Sequence, residues 1–155
     1  MRGKRATKRE IKPDPKHQSQ LLGKLINYIM ERGKKTTAQS IVYNMLDIVK
    51  EKTKQDPVTV LNLAFKNVGP DVEVKSKRVG GGNFQVPVEV NADRKLTLTI
   101  RWIVGACKAK KGRPISVKLA DEIIAASKGE GDAMKKRLDV YRMAEADKAF
   151  AHFTR

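Results

Sequence analysis

Residues Val72–Val90, VEVKSKRVGGGNFQVPVEV, constrain the fold more than any other stretch of the chain. Two runs of alternating valines flank three consecutive glycines, the pattern of a β-hairpin with a glycine-bearing turn. A two-stranded ribbon is marginal alone and needs a packed base. The rest of the sequence reads mostly as helix, so the expectation is a helical body carrying a basic arm. Val72 and Val74 share a face with Ser76 and Arg78, and Phe84, Val86, Val88 and Val90 share another. Matching the valine faces predicts that Val74 pairs with Val88, which leaves a loop over 79–83. Pro87 has no amide to donate and must sit where none is needed. Eight-residue strands at ~3.3 Å per residue give an arm of roughly 25 Å. The proximal valines would anchor it, and Lys75, Lys77 and Arg78 would stand distally.

Helical periodicity accounts for most of the remainder. Residues 19–32 repeat leucine and isoleucine at four-residue spacing, with Ser19 as N-cap and Gly33 as stop. Thr36 and Gln39 match a capping box ahead of a helix over 37–52. Asp56-Pro57 opens a third helix, whose inner face is Leu61, Ala64, Phe65 and Val68, and Gly69-Pro70 closes it. Residues 91–111 are ambiguous. Leu96, Leu98, Ile100, Trp102 and Val104 alternate as in a strand, whereas Leu96, Ile100, Ile103, Val104 and Cys107 form a helical stripe. Richness in β-branched residues leans towards strand, and length towards helix. Residues 114–127 read as a helix with Val117, Ala120, Ile123 and Ile124 inward. Asp132 is the expected cap of a last helix over 133–151, whose apolar stripe is thin.

The charge is the strongest functional signal. With 33 basic and 17 acidic residues the net charge is +16, a self-repulsion best offset by a polyanion. Residues 1–16 form a basic extension, expected to be disordered alone and able to order along a phosphate backbone; residues 17–155 form the single helical domain with its arm. Cations recur at Arg2, Lys4, Arg5, Lys8 and Arg9, at Lys34 and Lys35, on the hairpin, at Lys108, Lys110, Lys111 and Arg113, and at Lys135, Lys136 and Arg137. The last group opposes the dipole at a helix start, which suits a phosphate seat better than stability. Alanine in place of all three is therefore expected to weaken RNA binding and spare the fold.

Other chemistries find little support. Cys107 is the only cysteine, so no internal disulfide or cysteine-based metal site is expected. Cys107 with His152 as nucleophile and base is formally possible; a buried thiol and a surface imidazole are the simpler readings, and His17 lies at the other end of the chain. The glycine triplet is followed by no helix or Walker lysine, and Gln85 occupies the third glycine position of a dinucleotide fingerprint. No apolar run approaches the ~20 residues that span a bilayer. No enzyme activity, cofactor, metal, membrane or small-molecule substrate is expected. Dispersed cations with few aromatics suit a folded RNA read by shape. The alternative is a DNA-bending architectural protein with Phe84 or Pro87 as wedge, although neither sits at the expected tip. An RNA-modifying enzyme would need an activated residue that the sequence does not offer.

Several blocks resemble the bacterial-type small-subunit ribosomal protein number seven family: GKKTTAQSIVYNM at Gly33–Met45, the hairpin at Val72–Val90, RWIV at Arg101–Val104 and GDAMKKRLDVYRMAEADKAFAH at Gly131–His152. The resemblance runs through nearly the whole chain in order. It implies a mainly α, single-domain bundle of about six helices with a protruding two-stranded hairpin, and it implies that residues 91–111 are helix. It also implies direct binding to the 3′ major domain of small-subunit ribosomal RNA, nucleation of head assembly, and a place beside exit-site tRNA and mRNA. Neighbouring small-subunit proteins of the head and platform would be the protein partners. The implied rRNA contacts are the N-terminal segment, Lys34, Lys35, Lys75, Lys77, Arg78, Gly80, Gly81 and Lys135–Arg137. The loop cations Lys108, Lys110 and Arg113 join them on charge. Val79, Gly82, Asn83, Tyr141 and Arg142 would lie near exit-site tRNA. The implied location is a cytoplasmic or organellar ribosome of bacterial type. Gly82 and Phe84 stand where the family commonly has alanine and tyrosine, Leu138 where an acidic residue is usual, and Asp147 where asparagine is frequent.

Overall fold

The computed structural model describes Gly3, Ala6, Thr7 and residues 11–149, with Val79 described by its backbone only. The expected contacts Arg2, Lys4, Arg5, Lys8 and Arg9, and also His152, lie outside the described residues. Among the described residues six helices and one antiparallel ribbon follow in the order α1 (Gln20–Ile29), α2 (Lys35–Thr53), α3 (Pro57–Val68), β1 (Val72–Val79), β2 (Gly82–Glu89), α4 (Ala92–Ala109), α5 (Ile115–Ser127) and α6 (Asp132–Ala146). The mainly helical bundle with a hairpin arm is thus the fold.

The core comes from one stripe on each of the first five helices. Leu22 and Leu25 of α1, Val42 and Met45 of α2, Leu61 of α3, Ile100 and Ile103 of α4, and Leu119 and Ile123 of α5 have no exposed surface. Each such side chain contributes roughly 1.5–3 kcal/mol of transfer free energy. Helix α6 buries only Ala133, in keeping with its thin stripe. Asp14, assigned to the basic extension on composition, is 2% exposed. Its carboxylate accepts from the Tyr43 hydroxyl at 2.7 Å and from the amides of Lys16 and His17.

Several local expectations hold and others shift. Ser19 caps α1 by accepting from the Leu22 amide, but the helix stops at Ile29, short of the expected Arg32. Asp56 caps α3 by accepting from the Thr59 amide at 2.9 Å. The Thr36–Gln39 capping box does not form: α2 starts at Lys35, with Lys34 at the cap position and no side-chain hydrogen bond there. Residues 92–109 are helix, against the strand lean of the local pattern. Burial decides that stretch, because Ile100, Ile103, Val104 and Cys107 all turn into the core.

The ribbon register differs from the valine-matched expectation. Val74 pairs with Pro87, Glu73 with Val88 and Lys75 with Val86, and Val79 pairs with Gly82 across a loop of only Gly80 and Gly81. Both loop glycines have positive φ, +57° and +91°, as the two central residues of a type I′ turn require. That turn matches the twist of the strands and sets the register, so the valine faces do not coincide. The Val86 and Val88 face is opposed instead by Glu73, Lys75 and Lys77. Val90 donates to the Asp71 carbonyl, which fixes the alternation of hydrogen-bonded pairs along the ribbon. Pro87 falls in a non-hydrogen-bonded pair, so its missing amide costs the ladder nothing.

Candidate nucleic-acid interface

The expected cationic sites fall into two groups once their surroundings are known. Lys34 and Lys35 at the start of α2, Arg78 beside the turn, and Lys136 on the first turn of α6 are exposed and ion-pair with no described residue. Lys77 is exposed as well. Lys34, Lys35, Arg78 and Lys136 can meet a phosphate without first breaking an ion pair to a described residue. Arg142 is 80% exposed with a long contact of 3.8 Å to Asp139, and Arg113 is 70% exposed at 3.6 Å from Asp121. Such surface pairs are weak and open readily.

The second group has structural work. Lys75 reaches Glu73 at 2.8 Å, and Arg94 reaches the same carboxylate at 3.0 Å. Burial pushes the Glu73 carboxyl up, but the two cations outweigh it and hold the group below its ordinary value. Lys108 bonds Glu31 at 2.5 Å, and hydrogen bonding to Lys108 lowers the Glu31 carboxyl. Lys108 and Lys34 thereby meet on one apolar groove between α1, α2, α4 and α5, although they are far apart in sequence.

Lys110 illustrates how a charge run misleads. Its ammonium bonds Glu122 at 2.5 Å and Asp132 at 3.2 Å. Hydrogen bonding to Glu122 raises its pKa above the usual lysine value. Glu122 has no exposed surface, and its Oε1 accepts from the Ala133 amide at 2.8 Å. The first turn of α6 is therefore capped by a carboxylate from α5, not by Asp132 as expected. Gly131 stands at the cap position with φ +101°. Lys135 lies 3.2 Å from Asp132, so this lysine of the turn neutralises a carboxylate already seated there. Sequence reading missed Glu122, although it falls at helical spacing among Leu119, Ile123 and Ala126, a charged residue within an apolar stripe.

Arg137 is the clearest departure from the expected free cluster. It is half-buried, donates to the Asn67 carbonyl at 2.7 Å and lies over the Tyr141 ring at 5.0 Å. The Asn67 side chain donates in turn to the carbonyls of Ala126 and Ser127. Asn67 thus joins α3, α5 and α6. The Tyr141 hydroxyl accepts from the Asp71 amide at 3.0 Å and donates to the Asp71 carboxylate at 3.1 Å. Lys95 completes this knot at 2.5 Å from Asp71. Hydrogen bonds from Lys95, then Tyr141, hold the Asp71 carboxyl below its ordinary range. Tyr141 and Arg137 fasten the ribbon root to α6. The tip residues Gly82 and Asn83 sit at the far end, beside the turn.

The nucleophile reading of Cys107 fails on its environment. The thiol has no exposed surface, and burial followed by the charge of Glu122 pushes its pKa up to about 12. A thiol so far from ionising is inert. No group of three or more potential metal ligands occurs among the described residues. No helix among them is long and apolar enough to cross a membrane.

A cationic helical bundle bearing a rigidly rooted basic ribbon defines a nucleic-acid-binding scaffold. A family profile described as ribosomal protein S7p/S5e matches residues 1–148. The chain is 55% identical over 153 residues to a small ribosomal subunit protein uS7 of Thermotoga maritima, covering 99% of both sequences. Its counterpart from Kosmotoga olearia is 54% identical over the same length, and that from Pelotomaculum thermopropionicum is 53% identical over 146 residues. The chain belongs to the ribosomal protein S7p/S5e family.

Proposed function

We propose that this protein binds the 3′ major domain of small-subunit ribosomal RNA directly, nucleates assembly of the subunit head, and lies beside exit-site tRNA and mRNA. Membership of the family makes it a structural, RNA-binding component of the small ribosomal subunit, acting in translation; the family is not one of enzymes. Its relatives are bacterial, and its place is the cytoplasmic ribosome. Its partners are rRNA and neighbouring small-subunit proteins of the head and platform.

The observation that carries the finer reading is the distribution of uncommitted cations. Lys34 and Lys35, Arg78 at the ribbon tip and Lys136 on α6 stand on three separate elements. A linear groove for a single strand would align them along one element, whereas a folded RNA offers phosphates on several sides. Lys75, Lys77, Lys108, Lys110, Arg113 and Lys135 reinforce the field around them, as do the cations of the N-terminal segment. Gly80 and Gly81 at the turn join the rRNA contacts, while Val79, Gly82 and Asn83 beside it and Tyr141 and Arg142 on α6 are assigned to exit-site tRNA.

The test is footprinting and salt titration on a transcript of the 3′ major domain. With ~6–10 phosphates engaged, affinity falls roughly 10³–10⁵ between 50 and 200 mM salt. Protections spread over several helices of that domain support the reading. A flat salt response, or equal competition by duplex DNA, overturns it.

A further inference from the structure

The single tryptophan of the chain is Trp102 on α4. It is half-buried and leaves part of its surface to a cleft between α4 and the start of α6. Arg101, Trp102, Gly105 and Ala106 form one wall, and Asp132 and Lys136 the other. The residues of each wall recur at i and i+4, so each wall is one helical face. The cleft has a volume of about 270 Å³. That is below the roughly 300–1,000 Å³ of cavities that take drug-sized ligands, so a single small group fits.

The lining suits a flat apolar body that carries negative charge nearby. Neither Arg101 nor Lys136 ion-pairs with a described residue. The one carboxylate present, Asp132, is already held by Lys110 and Lys135, whose hydrogen bonds keep it below its ordinary range. The space over Gly105 is open: a Cβ there would meet nothing within 4 Å. We propose that this cleft seats one unpaired nucleobase of the bound RNA against the Trp102 indole, with Arg101 and Lys136 taking the phosphates on either side. Aromatic stacking of a splayed base between cations is the usual way a protein grips single-stranded positions in a folded RNA. This inference rests on the RNA-binding reading above and gives that reading one defined seat on α4, at Arg101 and Trp102, which the charge pattern did not single out.

Because Trp102 is the only indole, its fluorescence reports the cleft directly. The full-length protein is titrated with the 3′ major-domain transcript while retention on a filter measures binding independently. Binding accompanied by quenching of Trp102 is expected. In Gly105→Leu the cleft is filled without removing any native group. This variant should melt no lower than the parent, since leucine favours helix over glycine, bind roughly tenfold more weakly and lose the quenching. Binding of the parent with unchanged fluorescence overturns the nucleobase seat and leaves RNA binding standing. So does a Gly105→Leu protein that binds as tightly as the parent. Absence of any binding to the transcript overturns both readings.

Discussion

Glu122 shows how one side chain can close a fold. It ties α5 to α6 by accepting from the Ala133 amide, and to the loop after α4 through Lys110. Glu122→Ala leaves the Ala133 amide without its partner and the ammonium of Lys110 without its nearest counter-charge. Lys110 is 40% exposed and can turn to water, so the loss is that of a cap with a charged acceptor, about 2 kcal/mol. Glu122→Gln keeps an acceptor oxygen and should lose less than half as much. Urea unfolding of the two variants checks the order; equal losses would mean that the cap contributes nothing. At this scale the sequence was least legible. Cations are visible as residue types, but the partner of each depends on helix packing, and for that reason Lys110 and Arg137 looked as available as Lys34. Asp56, whose cap partner is three residues away, was readable without any packing.

The elements divide along the same line. Helices with strong stripes are legible because burial and periodicity agree. Residues 92–109 were not, since β-branched residues favour a strand locally and only the neighbouring helices make one face of the helix worth burying. The ribbon existed on paper, but its register followed from turn geometry, not from valine matching. The glycines should therefore respond unequally. Gly80→Asn is compatible with φ +57° and should leave the ribbon intact, because asparagine is favoured at the first position of this turn. Gly81→Val forces a β-branched residue to φ +91° and should destabilise the tip by more than about 1 kcal/mol. Cross-strand amide exchange between Val79 and Gly82 distinguishes them. Helix α6 gives a second contrast. Lys135→Ala with Lys136→Ala should weaken RNA binding at unchanged stability. Arg137→Ala, which severs α6 from Asn67, should lower stability by about 1–2 kcal/mol. Equal melting temperatures for the two variants would contradict that division. The first turn of α6 is thus not a uniform patch, as a triple alanine variant would treat it.

Across the molecule, the carboxylates Asp71, Glu122 and Asp132 sit at joints between elements. Asp71 and Asp132 both join α6 to its neighbours, and both are held below the ordinary carboxylate range by hydrogen bonds from lysines. A group whose folded pKa is depressed stabilises the fold above its unfolded value, and that contribution is lost as pH falls through the folded one. The joints should therefore be intact at neutral pH and loosen only below about pH 4. In an NMR titration the Asp71 amide, bonded to Tyr141, should shift with a midpoint under that of an unperturbed aspartate; an ordinary midpoint would show that the knot is absent in solution. The same knot carries a consequence for synthesis. Asp71 and its partner Tyr141 are 70 residues apart, as are Asn67 and Arg137. At ~5–20 residues per second, the ribbon leaves the translating ribosome roughly 4–14 s before the helix that aims it. During that interval the arm can zip into its hairpin yet has no fixed bearing, so the direction in which it points is among the last things the nascent chain acquires.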